Sequence, residues 1–146
     1  MSWLNLYGII IITIIMIPNI IFGLKHKEHI NYCTNKYINF LEQIGRYGSM
    51  FFIIFNIGIL ESGFRSNEVF AIWLIIVIIL VLLYLICWVI YFKRVDKKFA
   101  MALAIIPSIL FIVTGFMMRD YLLLISGILF SIGHIYVTTV NNNFIQ

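Results

Sequence analysis

The stretch VFAIWLIIVIILVLLYLICWVIYF, Val69 to Phe92, runs for 24 residues without one charged side chain. At 1.5 Å per residue a helix of that length measures about 36 Å, enough to cross the roughly 30 Å hydrocarbon layer of a bilayer with some tilt. Nothing in a water-soluble domain of 146 residues demands such a segment, because most of a small domain's exterior must be polar.

Working outward, apolar runs of similar length recur near 3–23, 38–60, 99–118 and 121–140, which with 69–92 predict an all-α bundle of five transmembrane spans in one integral membrane domain, 1–146. The composition agrees: 63% hydrophobic residues, 11% charged and a mean hydropathy of +1.06 make lipid the solvent of the exterior. Only Arg119-Asp120 separates the last two runs. One helix through both would be roughly 60 Å long, so a tight hairpin is expected there, with a re-entrant fourth segment as the alternative.

The charges lie mostly between the runs and set an orientation. Lys25, Lys27, Lys36, Lys93, Arg94, Lys97 and Lys98 fall on one side, against Arg65 and Arg119 on the other. The positive-inside rule puts the seven in the cytoplasm with the C-terminus, and the N-terminus outside, in a plasma membrane. Trp3, Tyr7, Trp73, Tyr91 and Tyr121 sit near the expected interfaces, where amphipathic rings settle. The net charge of +4 is thus a topology signal, and no nucleic-acid partner is expected. The first run has no basic leader and no small-x-small cleavage site, so it reads as a retained span. No lipidation motif is present. No internal repeat is visible, and five spans do not divide into two inverted halves unless two copies of the chain supply the symmetry.

Aligning the spans by their cytoplasmic ends brings Asn19, Glu42, Arg46, Ser108 and His134 to depths of about 6 to 14 Å, one layer drawn from four helices. Tyr84 and Cys87 reach a similar depth. On the second helix Asn39, Glu42, Arg46, Ser49 and Asn56 form a single stripe, with Gly45 beside it; on the fifth, Gly127, Ser131, His134, Thr138 and Asn141 do the same. Ionisable groups facing lipid cost several kcal/mol, about 2.5–3.5 on insertion scales, so these stripes should face inward and meet. Glu42 precedes Arg46 by four residues, the order that favours pairing along a helix. Glu42, Arg46, His134, Asn19, Ser108 and Ser49 are therefore the candidate binding residues. Pro18 and Pro107 remove backbone donors beside the same layer.

Other motifs carry less. His26-x-x-His29-x-x-x-Cys33 has the spacing of three metal ligands on one helical face, but a fourth ligand is lacking and a solvated connection is the expectation, so neither metal nor cofactor is assigned. Two cysteines, Cys33 and Cys87, make no disulfide framework. There is no phosphate loop, no H-E-x-x-H and no G-x-S-x-G. Gly45-x-x-Gly48 and Gly127 to Gly133 offer packing surface inside the bundle. The third helix, with no polar face, is expected to face lipid or another subunit.

The segments Leu41-Glu42-Gln43-Ile44-Gly45-Arg46-Tyr47-Gly48, Ala104-Ile105-Ile106-Pro107 and Gly133-His134-Ile135-Tyr136-Val137-Thr138 resemble stretches of small multi-pass bacterial membrane proteins of uncharacterised activity. The resemblance implies a bacterial plasma membrane and a single domain, and no functional residues. Three functions are compatible with the residues. A carrier or channel-like protein would bind an ion, a proton or a small anionic solute in the polar layer. A non-catalytic subunit, immunity or assembly factor would use the layer as structure, with a homo-oligomer or a membrane-protein partner. A membrane-embedded lipid-modifying enzyme would use His134 or Glu42 as acid or base, although carboxylates are few and no nucleophile motif is present.

Overall fold

The computed structural model describes residues 3–25 and 31–143, so His26 and His29 lie outside the described residues. It is all-helical, with no strand among those residues: α1 (Leu6–Lys25), α2 (Lys36–Ile54), α3 (Asn67–Lys93), α4 (Lys97–Met117) and α5 (Tyr121–Asn142). Four of them, α1, α3, α4 and α5, are long and apolar enough to cross a membrane. α2 falls short by composition, since it carries the polar stripe, and it stops at Ile54, short of the expected 60. Beyond it the backbone is taken over by the N-terminal segment: Asn5 N–H donates to Ile54 O (2.8 Å) and Asn56 N–H to Trp3 O (3.1 Å). Gly58 then turns the chain at φ +76°.

Four helices begin on a side-chain cap that satisfies otherwise orphaned backbone donors. Asn35 accepts from Tyr37 and Ile38 at the start of α2, Ser66 from Val69, Asp96 from Lys98 and Asp120 from Leu123. The chain does turn at Arg119-Asp120. Arg119 N–H reaches Phe116 O (3.2 Å) and Asp120 N–H reaches Gly115 O (2.9 Å), the paired bonds of a Schellman stop, with Arg119 in the left-handed region at φ +53° where glycine is usual.

Helix direction alternates along the chain. One end of the bundle gathers Lys25, Lys36, Lys93 and Lys97, hereafter the basic end; the far end holds the 55–66 connection and the α4–α5 hairpin. These last two are fastened to each other by Tyr121 N–H to Leu60 O (3.1 Å) and Ser62 N–H to Arg119 O (3.2 Å). α5 is the central element, packed along α2 on one side and α4 on the other, while α3 closes on α4 and α1 bridges α3 and α2.

The third helix departs from its expected role. It does turn Ile72, Ile75, Ile79, Leu82, Ile86 and Val89 outward, but Trp73, Val77, Val81, Tyr84, Trp88 and Tyr91 are buried at helical spacing. Both faces are apolar, so hydropathy periodicity could not tell them apart. Side-chain shape and polar atoms did: Trp73 Nε1–H donates to Thr114 Oγ1 (3.2 Å) in the core.

Burial at the hairpin has a titration consequence. Asp120 is buried, and desolvation, aided by the charge of Glu61, pushes its carboxyl above the usual aspartate range despite the bond from Leu123 N–H. A folded-state pKa above the unfolded one means the native state holds the proton more tightly. Its stabilising contribution is present at pH below the ordinary aspartate value and is lost as pH rises through the folded value. Asp120→Asn keeps an equally good cap. The variant should unfold at a higher temperature than the parent at neutral pH and show no such gain in acid, as thermal unfolding of the purified protein at the two pH values would read.

Candidate functional site

The site begins with the crossing of α2 and α5, where two glycines let the backbones touch. A Cβ at Gly133 would lie 2.6 Å from Glu42 Cα and 2.7 Å from its backbone N; one at Gly45 would lie 2.2 Å from Phe130 N. No side chain other than hydrogen fits at such approaches. Because Gly133 rides directly on Glu42, the next residue, His134, comes into reach of the carboxylate. His134 Nδ1 lies 2.7 Å from Glu42 Oε1. The same oxygen accepts from Arg46 Nη2 one turn along α2. Toward an ionised carboxylate His134 must carry its proton on Nδ1. Phe130 stacks on the imidazole at 4.7 Å between centroids and 18° between planes, and Phe111 supports Phe130 edge-on at 5.6 Å. The ring is therefore held from two directions.

Glu42 is buried, with 9% of its side chain exposed, whereas Arg46 keeps 40% exposed. That difference matters, since the guanidinium has five N–H donors and uses one nitrogen on Glu42. The rest of it borders two adjoining cavities. The larger, about 370 Å³, opens toward the basic end, and Glu42, Arg46, His134 and Asn19 all line it, together with Gln43, Phe22, Trp88, Tyr91, Leu103, Thr138 and a group of asparagines, Asn31, Asn141 and Asn142. The smaller, about 120 Å³, lies among all five helices and is shared by Asn19, Arg46 and His134 with Tyr84, Met50 and Pro107. Asn19 connects the two: its Nδ2 donates to Tyr84 Oη (2.6 Å) and to Ile15 O (2.7 Å), one turn back beside Pro18.

Of the residues singled out by sequence, Asn19, Glu42, Arg46 and His134 converge on one cavity. Ser108 and Ser49 do not line it. Ser108 is buried and returns its hydroxyl to Ala104 O (2.8 Å) on its own helix, and Ser49 is buried with its Oγ unpartnered. A serine that bonds its own helix one turn back is a common way for a hydroxyl to sit in an apolar bundle. Cys87 lines neither cavity either, and both Cys33 and Cys87 are free. Among the described residues no three His, Cys, Asp or Glu side chains gather as metal ligands. The wall residues Phe22 and Trp88 escaped the sequence reading, and Tyr91, expected as an interfacial ring, is buried against the same cavity. The signal was present in the recurrence of Tyr84, Trp88 and Tyr91, aromatic rings with polar atoms at three- and four-residue spacing on one face of an otherwise aliphatic helix.

Compared with protein-family models, with curated proteins and with solved structures, the chain matches none.

Proposed function

We propose that this is a multi-pass plasma-membrane protein of five spans, N-terminus outside, which binds a small anionic solute at Arg46 in the basic-end cavity, as a small carrier or channel-like protein would. Support for α2 as the fifth span comes from its inverted amphipathicity. Its buried face holds Glu42, Gly45 and Ser49, while Tyr37, Phe40, Ile44, Tyr47 and Phe51 point out of the bundle. An apolar outside over a polar inside suits lipid as the surrounding solvent. The lysines at the cavity's end of the bundle favour the cytoplasm as the compartment it opens to.

The observation that carries the binding reading is the half-used guanidinium: Arg46 is anchored by Glu42, yet 40% exposed on a cavity large enough for a small molecule. A planar guanidinium with free N–H groups is suited to an anion. A second reading, a structural subunit or assembly factor, is favoured by the same Glu42, whose oxygen already receives both Arg46 and His134 and so fastens α2 to α5.

The two separate in one experiment. Thermal unfolding of the purified protein is followed with chloride, acetate, benzoate or inorganic phosphate, and binding is measured by equilibrium dialysis. Losing a charge-assisted bond is worth about 1.5–3 kcal/mol, so Arg46→Gln should weaken any bound anion by roughly tenfold or more while the chain still elutes as a folded species. Anions that stabilise neither protein, or that stabilise Arg46→Gln as well as the parent, would leave the structural reading standing alone.

A further inference from the structure

We infer that the ligand is a monovalent carboxylate carried on an apolar body, an aromatic or medium-chain aliphatic acid, and that it enters together with one proton taken up at His134. The inference rests on the anion-binding reading above and adds to it the ligand's charge, its body and its proton.

The body follows from the cavity's two unlike walls. α2 and α5 supply polar groups, Gln43, Arg46 and Thr138 among them; opposite stand Phe22, Trp88 and Leu103. Phe22 packs at 5.3 Å from Trp88 and 5.4 Å from Tyr91, so the far wall is a continuous aromatic surface. A bare inorganic ion would leave that surface wetted and idle, whereas an apolar body covers it. The volume, about 370 Å³, lies at the low end of the roughly 300–1,000 Å³ usual for small-molecule pockets. On the same wall Trp88 is buried, with the Tyr84 hydroxyl as its polar neighbour.

The charge follows from counting. Glu42 and Arg46 cancel; with His134 neutral the group sums to zero, and with the imidazole protonated it sums to +1. Among the described residues, α3 faces this group with Tyr84 and Tyr91, and α1 and α4 place no titratable side chain on either cavity. Counting the described residues, one negative charge is balanced when His134 is charged, and a second would be left uncompensated in a confined, partly apolar site. A monocarboxylate fits that balance and a phosphate dianion does not. Each therefore favours the other's binding: protonation strengthens the carboxylate, and the carboxylate strengthens protonation.

The test uses the purified full-length protein in detergent with radiolabelled benzoate, octanoate, acetate and inorganic phosphate in equilibrium dialysis. Benzoate or octanoate should bind about tenfold tighter than acetate or phosphate, and several-fold tighter at about pH 6 than at about pH 8, with close to one proton taken up in calorimetry across buffers of different ionisation heat. Trp88→Phe should weaken benzoate and octanoate while leaving acetate unchanged, and His134→Gln should flatten the pH dependence. Benzoate ahead of octanoate points to a solute drawn from water; octanoate ahead points to an acid drawn from the bilayer. Acetate or phosphate binding as well as benzoate, still dependent on Arg46, would overturn this inference and leave the anion reading intact. So would benzoate affinity that ignores pH. No probe bound in an Arg46-dependent way would overturn both.

Discussion

Gly45→Ala is expected to part α2 from α5 and with it the whole site. The added Cβ would fall 2.2 Å from Phe130 N and 2.5 Å from Phe130 Cα, backbone atoms that no rotamer change can move aside. Overpacking in a well-filled interior costs about 1–3 kcal/mol, and a clash with backbone belongs at the upper end or beyond. The control is Gly23→Ala, where a Cβ meets nothing within 4 Å and a helix-interior glycine gives way to a better helix former, worth about 0.5–1 kcal/mol in the opposite direction. Heating followed by fluorescence-detected size exclusion should show the first variant lost at a lower temperature than the parent and the second at an equal or higher one. Equal behaviour of the two alanine variants would mean that the helices do not meet at the glycines.

Removing the carboxylate alone should be nearly as damaging, and removing the pair should not be. Glu42→Met leaves Arg46 and His134 directed at an apolar group, and breaking a buried pair from one side costs about 3–5 kcal/mol, here toward the lower figure because Arg46 is 40% exposed and solvent screens it. The double variant Glu42→Met with Arg46→Met loses both charges and keeps much of the volume, so it should recover most of that loss. Anion binding should vanish in the double variant, which lacks the guanidinium. Thermal unfolding gives the stability and dialysis gives the binding, and a double variant as unstable as the single one would show that the ion pair is not the cause.

Much of this arrangement is legible in the sequence. Charge-free length announced the helices, and the spacing of Glu42 and Arg46, together with the phase of His134, pointed to a meeting inside the bundle. Ser108 and Ser49 share that depth and phase, but a short hydroxyl can be satisfied by its own backbone or buried by packing, so depth and phase alone could not seat them at a cavity. The contribution of α3 was hidden for another reason: with aliphatic residues on all sides, periodicity carries no direction, and only the positions of Trp73, Tyr84, Trp88 and Tyr91 mark its inner face. The end of α2 was misjudged because its continuation, from Phe55 onward, stays apolar while its backbone pairs with Trp3 and Asn5, a partner some fifty residues away that no local window contains.

Those last bonds decide what kind of vessel the molecule is. Asn5 with Ile54, Trp3 with Asn56, Leu60 with Tyr121 and Ser62 with Arg119 stitch the far end shut, and Gly8 and Gly115 let neighbouring backbones close in beneath the seam. Among the described residues that end of the bundle is closed. On the anion-binding proposal, a solute resting on Arg46 would leave by the way it came, and delivery to the opposite compartment would require the stitched rim to come undone before the floor could tilt.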